Sequence, residues 1–391
     1  MTSQSPSSSP EPSSSTTMTR WYIDTRPLTS SGTSSLPLLE TLQPADQETI
    51  KKYYHLTDRH MSLASYLLKY LFIHRACRVP WGEITISRTP EPHRRPCFIP
   101  PPSPSASRGS EDGDGECVVP SVEFNVSHQA SLVALAGCIV PSSSSSSSTI
   151  LHSHPSPSPP PSASQSTTPQ LGIDVTCTNE PFRPRRKDSI PRTRKQLADF
   201  VDIFSEVFSR RELDTIKTTP IPASASQQLL SSKEEEEEKE VKYRYRLFYT
   251  YWALKEAYIK MTGEALLAPW LRELEFRNVA APEPILPVPA STTTTRDGAG
   301  DNPAVWGTPY TGIQTFLHGK KVDDVRIEVV AFEKDYLVAT AARGAGFGAG
   351  SGSRPAGMDR DPWAEFRRIE IERDVGPCAR GECGCLKDSE R

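Results

Sequence analysis

The most regular apolar pattern in the chain runs from about residue 61 to 76, where Leu63, Tyr66, Leu67, Tyr70, Leu71 and His74 recur at spacings of three, one, three, one and three. Those spacings put all six on one stripe of a 3.6-residue helix. A β-like run follows at 83–88, and beyond a Pro-rich stretch two more runs, 121–127 and 132–140, predict a hairpin that turns at His128 to Ser131. The same order returns further on: a helix over about 245–262, a strand over 271–276, then strands over 325–332 and 336–341 with Glu333, Lys334 and Asp335 between them. The repetition predicts an α+β fold of two halves related by a pseudo-twofold, each packing one long helix on a small antiparallel sheet. A cleft between such halves is where a ligand would sit.

A further helical region, 193–208, links the halves, with Leu197, Phe200, Ile203, Phe204, Val207 and Phe208 on one side. This face reads as core, or as a surface for a partner. Ser209, Arg210, Arg211 and Glu212 then have the form of a capping box opening a short helix. Five tracts, 99–116, 141–170, 220–240, 278–303 and 344–361, are rich in Ser, Pro, Gly or Glu and lack apolar periodicity, so they read as disordered low-complexity insertions. The five acids Glu234 to Glu238 read as a solvated, mobile segment. The resulting organisation is a tail at 1–19, a first half at 20–140, an insertion at 141–170, a second half at 171–342 and a C-terminal extension at 343–391, partly disordered.

Composition narrows the picture. With 37 Pro and only 36% hydrophobic residues in 391, the apolar material is concentrated in stretches that would fold as roughly 230–260 residues. A net charge of −3 provides no global basic field, which argues against nucleic acid or a membrane surface as partner. No run of 18 apolar residues is present, and the Ser/Pro-rich start lacks a basic-then-apolar leader; a soluble, cytoplasmic protein is the expectation. The eight cysteines include no C-x-x-C pair, so reduced thiols are expected. Cys378, Cys383 and Cys385 form the one cluster; a metal reading needs a fourth ligand, and a flexible tail accounts for them more simply. The basic run Arg183, Arg185, Arg186, Lys187, Arg192, Arg194 and Lys195 fits a solvated face or a landing site for an acidic partner better than a nuclear-import patch.

Four segments carry candidate chemistry. On the helix over 245–262, Leu247, Tyr251, Leu254, Tyr258 and Met261 fall within one stripe of about 80°. Trp252, Glu256 and Lys260 fall opposite, four apart: either a solvated Glu–Lys pair, or a cleft wall, which the large indole favours. Leu171 to Thr176 reads as a short strand in which Gly172 permits close backbone approach and Asp174, at the strand's end, can hold a metal or simply shape a turn. Phe124, Asn125, Val126, Ser127 and His128 place three hydrogen-bonding side chains at a strand end, suited to phosphate oxygens or to a plain turn. Arg88, Arg94 and Arg95 make a patch suited to bidentate phosphate contacts or to a solvated loop.

Taken in order, Phe124 to His128, Gly172-Ile173-Asp174, and Trp252 to Lys260 resemble the 4'-phosphopantetheinyl transferases, in the large pseudo-dimeric surfactin-synthetase-activating class and its aminoadipate-pathway relatives. The resemblance implies coenzyme A as co-substrate in the cleft, with Mg²⁺ held by Asp174 and Glu256. It implies that Lys260 holds a pyrophosphate oxygen and that Arg88, Arg95, Asn125, Ser127 and His128 contact the coenzyme's phosphates; for such a reaction Glu256, directly or through a metal-bound water, is the candidate for taking the proton of the attacking serine. Asp174, Glu256 and Lys260 would then be the catalytic set. The implied reaction moves the phosphopantetheine arm onto a serine of apo carrier proteins or carrier domains and releases 3',5'-adenosine bisphosphate; the carriers would be those of fatty-acid, polyketide, nonribosomal-peptide and aminoadipate (lysine) pathways. A monomer with an internal pseudo-dimer is implied.

Two departures from the family pattern stand out. Pro96 after Arg95 fits a basic-residue-then-Pro pattern, but Arg94 replaces the usual glycine. Thr176 stands where many bacterial members carry a second acid, so a water is expected in the third metal position. Thr176 also leaves open a non-catalytic coenzyme A or nucleotide-binding module. A nuclear or RNA-binding protein built on the basic run is the remaining alternative; the overall charge and the lack of an aromatic–basic binding motif count against it.

Overall fold

The computed structural model describes residues 16–30, 34–90, 93, 95–101, 119–140, 168–179, 190–222, 232–264, 268–285, 306–348 and 361–386. Much of the expected low-complexity insertions, Arg94, Cys117 and the basic residues 183–187 lie outside the described residues.

The chain begins with β1 (Met18–Asp24), short helices α1 (Arg26–Ser30) and α2 (Pro44–Lys51), and the long α3 (Leu56–Cys77). Two hairpins follow, β2 (Thr85–Arg88) with β3 (Pro96–Ile99), and β4 (Val122–Gln129) with β5 (Leu132–Ile139). The predicted helix, strand and hairpin are all present. α3 begins some five residues before the apolar stripe, and β4 runs through His128 to turn at Ala130 and Ser131, both in the left-handed region. Sequence reasoning missed β1, whose Trp21 and Ile23 face the α3 side while Met18 and Tyr22 face the other sheet.

The second half repeats the order: β6 (Gln170–Cys177), α4 (Arg194–Asp202), α5 (Arg210–Thr218), α6 (Lys233–Thr262), β7 (Leu274–Arg277), β8 (Gln314–Leu317), β9 (Lys320–Lys321), and the hairpin β10 (Val325–Phe332) with β11 (Tyr336–Arg343). The linking helix ends at Asp202, short of the expected 208, and turns lead to α5. The capping box on α5 forms with both of its bonds.

The acidic run does not form a mobile linker. Glu234 to Glu238 lie in the first turns of α6, where Ser232 accepts from the Glu235 amide at 3.2 Å. Acids at a helix N-terminus are favoured by the macrodipole, and Glu238 pairs with Lys242 one turn on.

The first sheet has the order β12-β1-β5-β4, where β12 (Trp363–Arg368) comes from the C-terminal extension. It runs parallel to β1, so this sheet is mixed rather than purely antiparallel. The second has the order β10-β11-β6. Thus β1-β5-β4 and β6-β11-β10 trace the same path, with α3 and α6 following the equivalent strands.

Period-2 alternation makes each sheet a partition. On β5, Val133 and Leu135 join the α3 core while Leu132, Ala134, Ala136 and Cys138 join a core shared with the second sheet. On β6 the odd residues Leu171, Ile173, Val175 and Cys177 enter that shared core. The even residues Gly172, Asp174 and Thr176 therefore face α6. Arg20 on β1 and Glu328 on β10 form a buried ion pair across the same junction.

The edge strands are joined by side chains. Asn125 Oδ1 accepts from the Ile173 amide at 3.1 Å, Ser127 Oγ from the Val175 amide at 3.1 Å, and Gln129 Oε1 from the Cys177 amide at 2.8 Å. Polar side chains at every second residue of β4 thus take the place of a backbone ladder and cover an otherwise open β6 edge.

Candidate active site

From Arg244 onward, helix α6 is buried nearly all round. The predicted core stripe Leu247, Tyr251, Leu254, Tyr258 and Met261 is buried, and so are Phe248, Tyr249, Ala253 and Ala257 against the neighbouring strands and helices. Between residues 251 and 262 only Trp252, Glu256, Lys260 and Thr262 keep partial exposure. The face read from spacing as a cleft wall is therefore the one open line on this part of the helix.

Gly172 brings this face to β6. A Cβ there would lie 2.0 Å from the Ala257 carbonyl oxygen and 2.4 Å from the Met261 amide nitrogen. Glycine is the one residue that lets strand and helix backbones meet, and two residues on, Asp174 projects beside the same helix. Asp174 is not at the strand's end, as the sequence suggested, but in its middle.

Asp174 is held from three sides. Lys260 Nζ donates to Oδ1 at 2.7 Å, Ser127 Oγ donates to Oδ1 at 3.1 Å, and Thr176 Oγ1 donates to Oδ2 at 2.7 Å. Lys260 Nζ also donates to Ser127 Oγ at 2.9 Å. The hydroxyl of Ser127, with one hydrogen to give and two lone pairs to fill, is fully used. Thr176 serves Asp174 as a hydrogen-bond donor.

Glu256 has no hydrogen-bond partner among the described residues. Desolvation in the cleft, and after it the charge of Asp174, raise its carboxyl to about 7, while Lys260 opposes the shift. The charge of Asp174 thus reaches Glu256 and disfavours a second carboxylate beside it. His128 has an exposed ring hemmed in by protein; desolvation and the charge of Lys260 lower its pKa, keeping it neutral near neutrality, with Asp58 and Asp174 opposing.

The first half contributes more positive charge than the sequence had marked. Lys69 on α3 is buried, lies 3.7 Å from the centre of the Tyr66 ring, and has a pKa lowered to about 8 by burial, with Arg88 also lowering it and Asp46 opposing. It belongs to the groups that act on His128. Sequence reasoning passed over Lys69 because it lies within the apolar pattern of α3.

The sequence-derived candidates fall into two groups. Asp174, Glu256, Lys260, Ser127 and His128 converge. Asn125 is one step along the seam, with its carbonyl oxygen given to Ile173, and Arg88 is exposed at the end of β2, within electrostatic range of Lys69. Arg95 lies at the start of β6, paired with Glu123 and donating to the Leu171 carbonyl at 3.1 Å, and its aliphatic stem packs on Gly263 at the end of α6.

A second buried pair props the helix from behind. Lys255 Nζ lies 2.9 Å from Glu212 Oε2, both 1% exposed, and donates to the Leu271 carbonyl at 3.1 Å. The same Glu212 closes the capping box of α5 and accepts from the Phe276 amide at 2.9 Å. Burial pushes each member toward its neutral form and their mutual attraction opposes this. Along the open face, one turn before Glu256, a cavity of about 230 Å³ is lined by Gln129, Thr176, Phe200, Phe204, Phe248, Tyr249 and Trp252. Phe200 and Phe204 of the linking region thus face both core and cavity, while Phe208 is wholly core.

Two family models match the chain: one described as 4'-phosphopantetheinyl transferase, N-terminal, over residues 30–140, and one described as 4'-phosphopantetheinyl transferase superfamily, over residues 170–297. Asn125, Ser127 and His128 lie in the first match; Asp174, Glu256 and Lys260 lie in the second. The chain is similar to 4'-phosphopantetheinyl transferase A of Aspergillus fumigatus, 57% identical over 376 residues covering 95% of this chain and 96% of that one. It is similar to 4'-phosphopantetheinyl transferase NpgA of Emericella nidulans, 52% identical over 379 residues covering 96% and 97%. A more distant relative is the L-aminoadipate-semialdehyde dehydrogenase-phosphopantetheinyl transferase of Mus musculus, 23% identical over 247 residues covering 63% of this chain and 56% of that one. With identity of this degree over nearly the whole length, and with both matched segments meeting at the acid pair, the chain belongs to the 4'-phosphopantetheinyl transferase family and is a transferase of that type.

Proposed function

We propose that the protein transfers the 4'-phosphopantetheine arm of coenzyme A to a serine of apo carrier proteins, with Mg²⁺ held by Asp174 and Glu256. The observation that carries this reading is the convergence of two carboxylates, from a strand and a helix, beside Lys260, Ser127 and His128. The donor set fits a hard divalent cation: both acids offer oxygen, and such an ion relieves the desolvation of Glu256 and the charge of Asp174 that together raise it. When bound, the ion neutralises charge on the bridging phosphate oxygens.

The residues of the chain do the rest by position. Lys260, Lys69 and Arg88 supply positive charge on both sides of the cleft, matching a diphosphate and a further phosphate. His128, neutral and exposed, donates a hydrogen bond without adding a charge to be neutralised. Lys260 is the mobile member; half-exposed on α6, it can leave Asp174 for a phosphoryl oxygen. The serine oxygen forms a bond to the β-phosphorus in line with the bond that breaks to 3',5'-adenosine bisphosphate, and Glu256 is the carboxylate placed to take the serine proton.

The aromatic cavity beside the acids provides the carrier's docking surface: Phe200, Phe204 and Trp252 form an apolar wall within one helical turn of Glu256. The carriers served would include those of fatty-acid, polyketide, nonribosomal-peptide and aminoadipate pathways, the last supported by the name of the mouse relative. The test is incubation with coenzyme A, Mg²⁺ and an apo carrier, followed by intact mass measurement. A gain of one phosphopantetheine arm that disappears with chelator supports the reading; an unchanged carrier mass, or an unchanged rate in Glu256→Gln, overturns it.

A further inference from the structure

The cluster of cysteines at the C-terminus is not a loose tail. Cys378 is 2% exposed and belongs to the α3 core, while Cys383 and Cys385 pack against that core. The fourth ligand that the sequence lacked comes from α3: His74, 1% exposed, lies with the three cysteines so that one ligand atom of each is within 4.8 Å of all the others. Apolar packing alone does not account for a histidine at the centre of three thiols.

The imidazole is oriented as a ligand would be. His74 Nδ1 donates to the Val79 carbonyl at 2.7 Å, which leaves the Nε2 lone pair directed at Cys383 Sγ, 3.1 Å away. A ring nitrogen fixed by a backbone carbonyl is the usual support for a metal-bound histidine. Cys378 Sγ and Cys385 Sγ are 3.9 Å apart, close to the roughly 3.8 Å edge of a tetrahedron with Zn–S bonds of about 2.3 Å.

The backbone gathers these sulfurs by local turns. The Gly381 amide bonds the Cys378 carbonyl at 3.2 Å, and the Glu382 and Cys383 amides both reach the Pro377 carbonyl, at 2.8 and 3.1 Å. Gly381 has φ +74, a turn that only glycine adopts freely, and it folds Cys383 back beside Cys378. Arg75, the neighbour of His74, donates to the Asp374 carbonyl at 2.9 Å and docks the approach to the cluster.

We infer that Cys378, Cys383, Cys385 and His74 form a structural zinc site that fastens the C-terminal segment to α3. Three thiolates and one imidazole make a closed, soft donor set with no open position, which selects zinc and a structural role over catalysis. The site joins positions 309 residues apart in sequence. It anchors the segment that supplies β12, the parallel partner of β1, together with Ile369, Ile371 and Val375 of the α3 core. It is separate from the cleft acids, whose oxygen donors suit a different ion.

The experiment is elemental analysis of the full-length protein, purified under reducing conditions without added metal and dialysed against metal-free buffer. One zinc per chain is expected in the unmodified protein and in Glu256→Gln. Zinc should fall to background in Cys385→Ser, at a half-exposed position, and in His74→Gln, with a lower melting temperature in both. Cys97→Ser, a thiol outside the cluster, should keep its zinc. Replacement by Co²⁺ should give the intense visible absorption of a tetrahedral thiolate site. Absence of zinc from unmodified protein whose thiols are reduced, retention of it in both cluster variants, or a disulfide among the three cysteines in protein purified under reducing conditions would each overturn the inference.

Discussion

Lys260 Nζ lies 2.7 Å from Asp174 Oδ1, across the line where α6 rests directly on β6. The contact joins the two motifs that in sequence are 86 residues apart, and it places a flexible ammonium between a buried acid and the solvent side of the cleft. In the free enzyme Lys260 balances Asp174. With a polyanionic substrate present it has a second place to go.

Replacing Lys260 with Met should therefore lower the transfer rate by about 10²-fold or more, the range typical of removing one donor to a developing phosphoryl charge. It should also move a titration. Lys260 opposes the rise in the Glu256 pKa, so in the metal-free Lys260→Met variant the Glu256 carboxyl should titrate above about 7. NMR titration of a carbon-labelled glutamate would show the upward move; an unmoved or lower value would mean that Lys260 and Glu256 do not share the cleft.

Gly172→Ala tests the strand–helix contact. Its Cβ would meet the Ala257 carbonyl oxygen and the Met261 amide nitrogen, both backbone atoms that cannot rotate away. Overpacking of this kind typically costs about 1–3 kcal/mol, and the backbone clash puts this case at the upper end. Denaturant unfolding should show the loss, and activity should fall further than stability because Asp174 is displaced with the strand. A variant with wild-type stability and rate would show that the close approach is not needed.

Much of this arrangement could be read from residue spacing, and the unreadable part has a common cause. The stripe on α3 and the open line Trp252, Glu256, Lys260 follow from local 3.6-residue periodicity, which is independent of distant partners. Gly172 was marked for the close backbone approach it makes, whereas Asp174 was expected at a strand end and lies in the middle of a longer strand. What stayed hidden is non-local. β12 has only Trp363 deeply buried, and its pairing with β1 depends on a segment more than three hundred residues away. Lys69 and Lys255 are charged side chains inside apolar patterns, where only the folded environment shows what they meet. His74 was counted as core, which it is; that its ring faces three cysteines from the far end of the chain could not be seen until the tail was placed.

Asn125 has a use at the seam that separates two roles. Its carbonyl oxygen accepts from the Ile173 amide in a buried position, so Asn125→Ala should leave that amide unpaired and cost about 1–3 kcal/mol. Asn125→Asp keeps an acceptor and should restore much of the stability. If the side chain also approaches a phosphate, the added negative charge should raise KM for coenzyme A while stability holds. Recovery of neither property by Asp would mean that the seam bond is not what Asn125 supplies.

The aromatic wall proposed to meet the carrier makes a kinetic prediction. Phe204 packs on Phe248 and Trp252 and lines the cavity beside the acids without touching them. Phe204→Ala should raise KM for the apo carrier while leaving KM for coenzyme A near its original value, because only uniform binding of one substrate is weakened. Steady-state kinetics with each substrate varied in turn would decide it. Equal changes in both constants would place the carrier elsewhere.

Glu256 carries the clearest pH signature. Its carboxyl is raised to about 7 in the folded protein, first by desolvation and then by the charge of Asp174, whereas in an unfolded chain a glutamate titrates near ~4.3. A folded state that holds its proton more tightly than the unfolded one loses stability as pH rises between those values, and above about 7 the loss is complete. In metal-free buffer at pH 8, Glu256→Gln should therefore be more stable than the unmodified protein, by roughly 1–3 kcal/mol, and the advantage should vanish at pH 4. Mg²⁺ should reverse the order at pH 8, because only the intact acid pair gains stability by binding it, and lowering the pH below about 7 should weaken that binding as the proton competes for Glu256. Thermal unfolding of both proteins at the two pH values, with and without Mg²⁺, gives all of these signs; a Gln variant no more stable than the unmodified protein in metal-free buffer at pH 8 would show that the acids do not repel each other, and with that the case for a shared cation would fail.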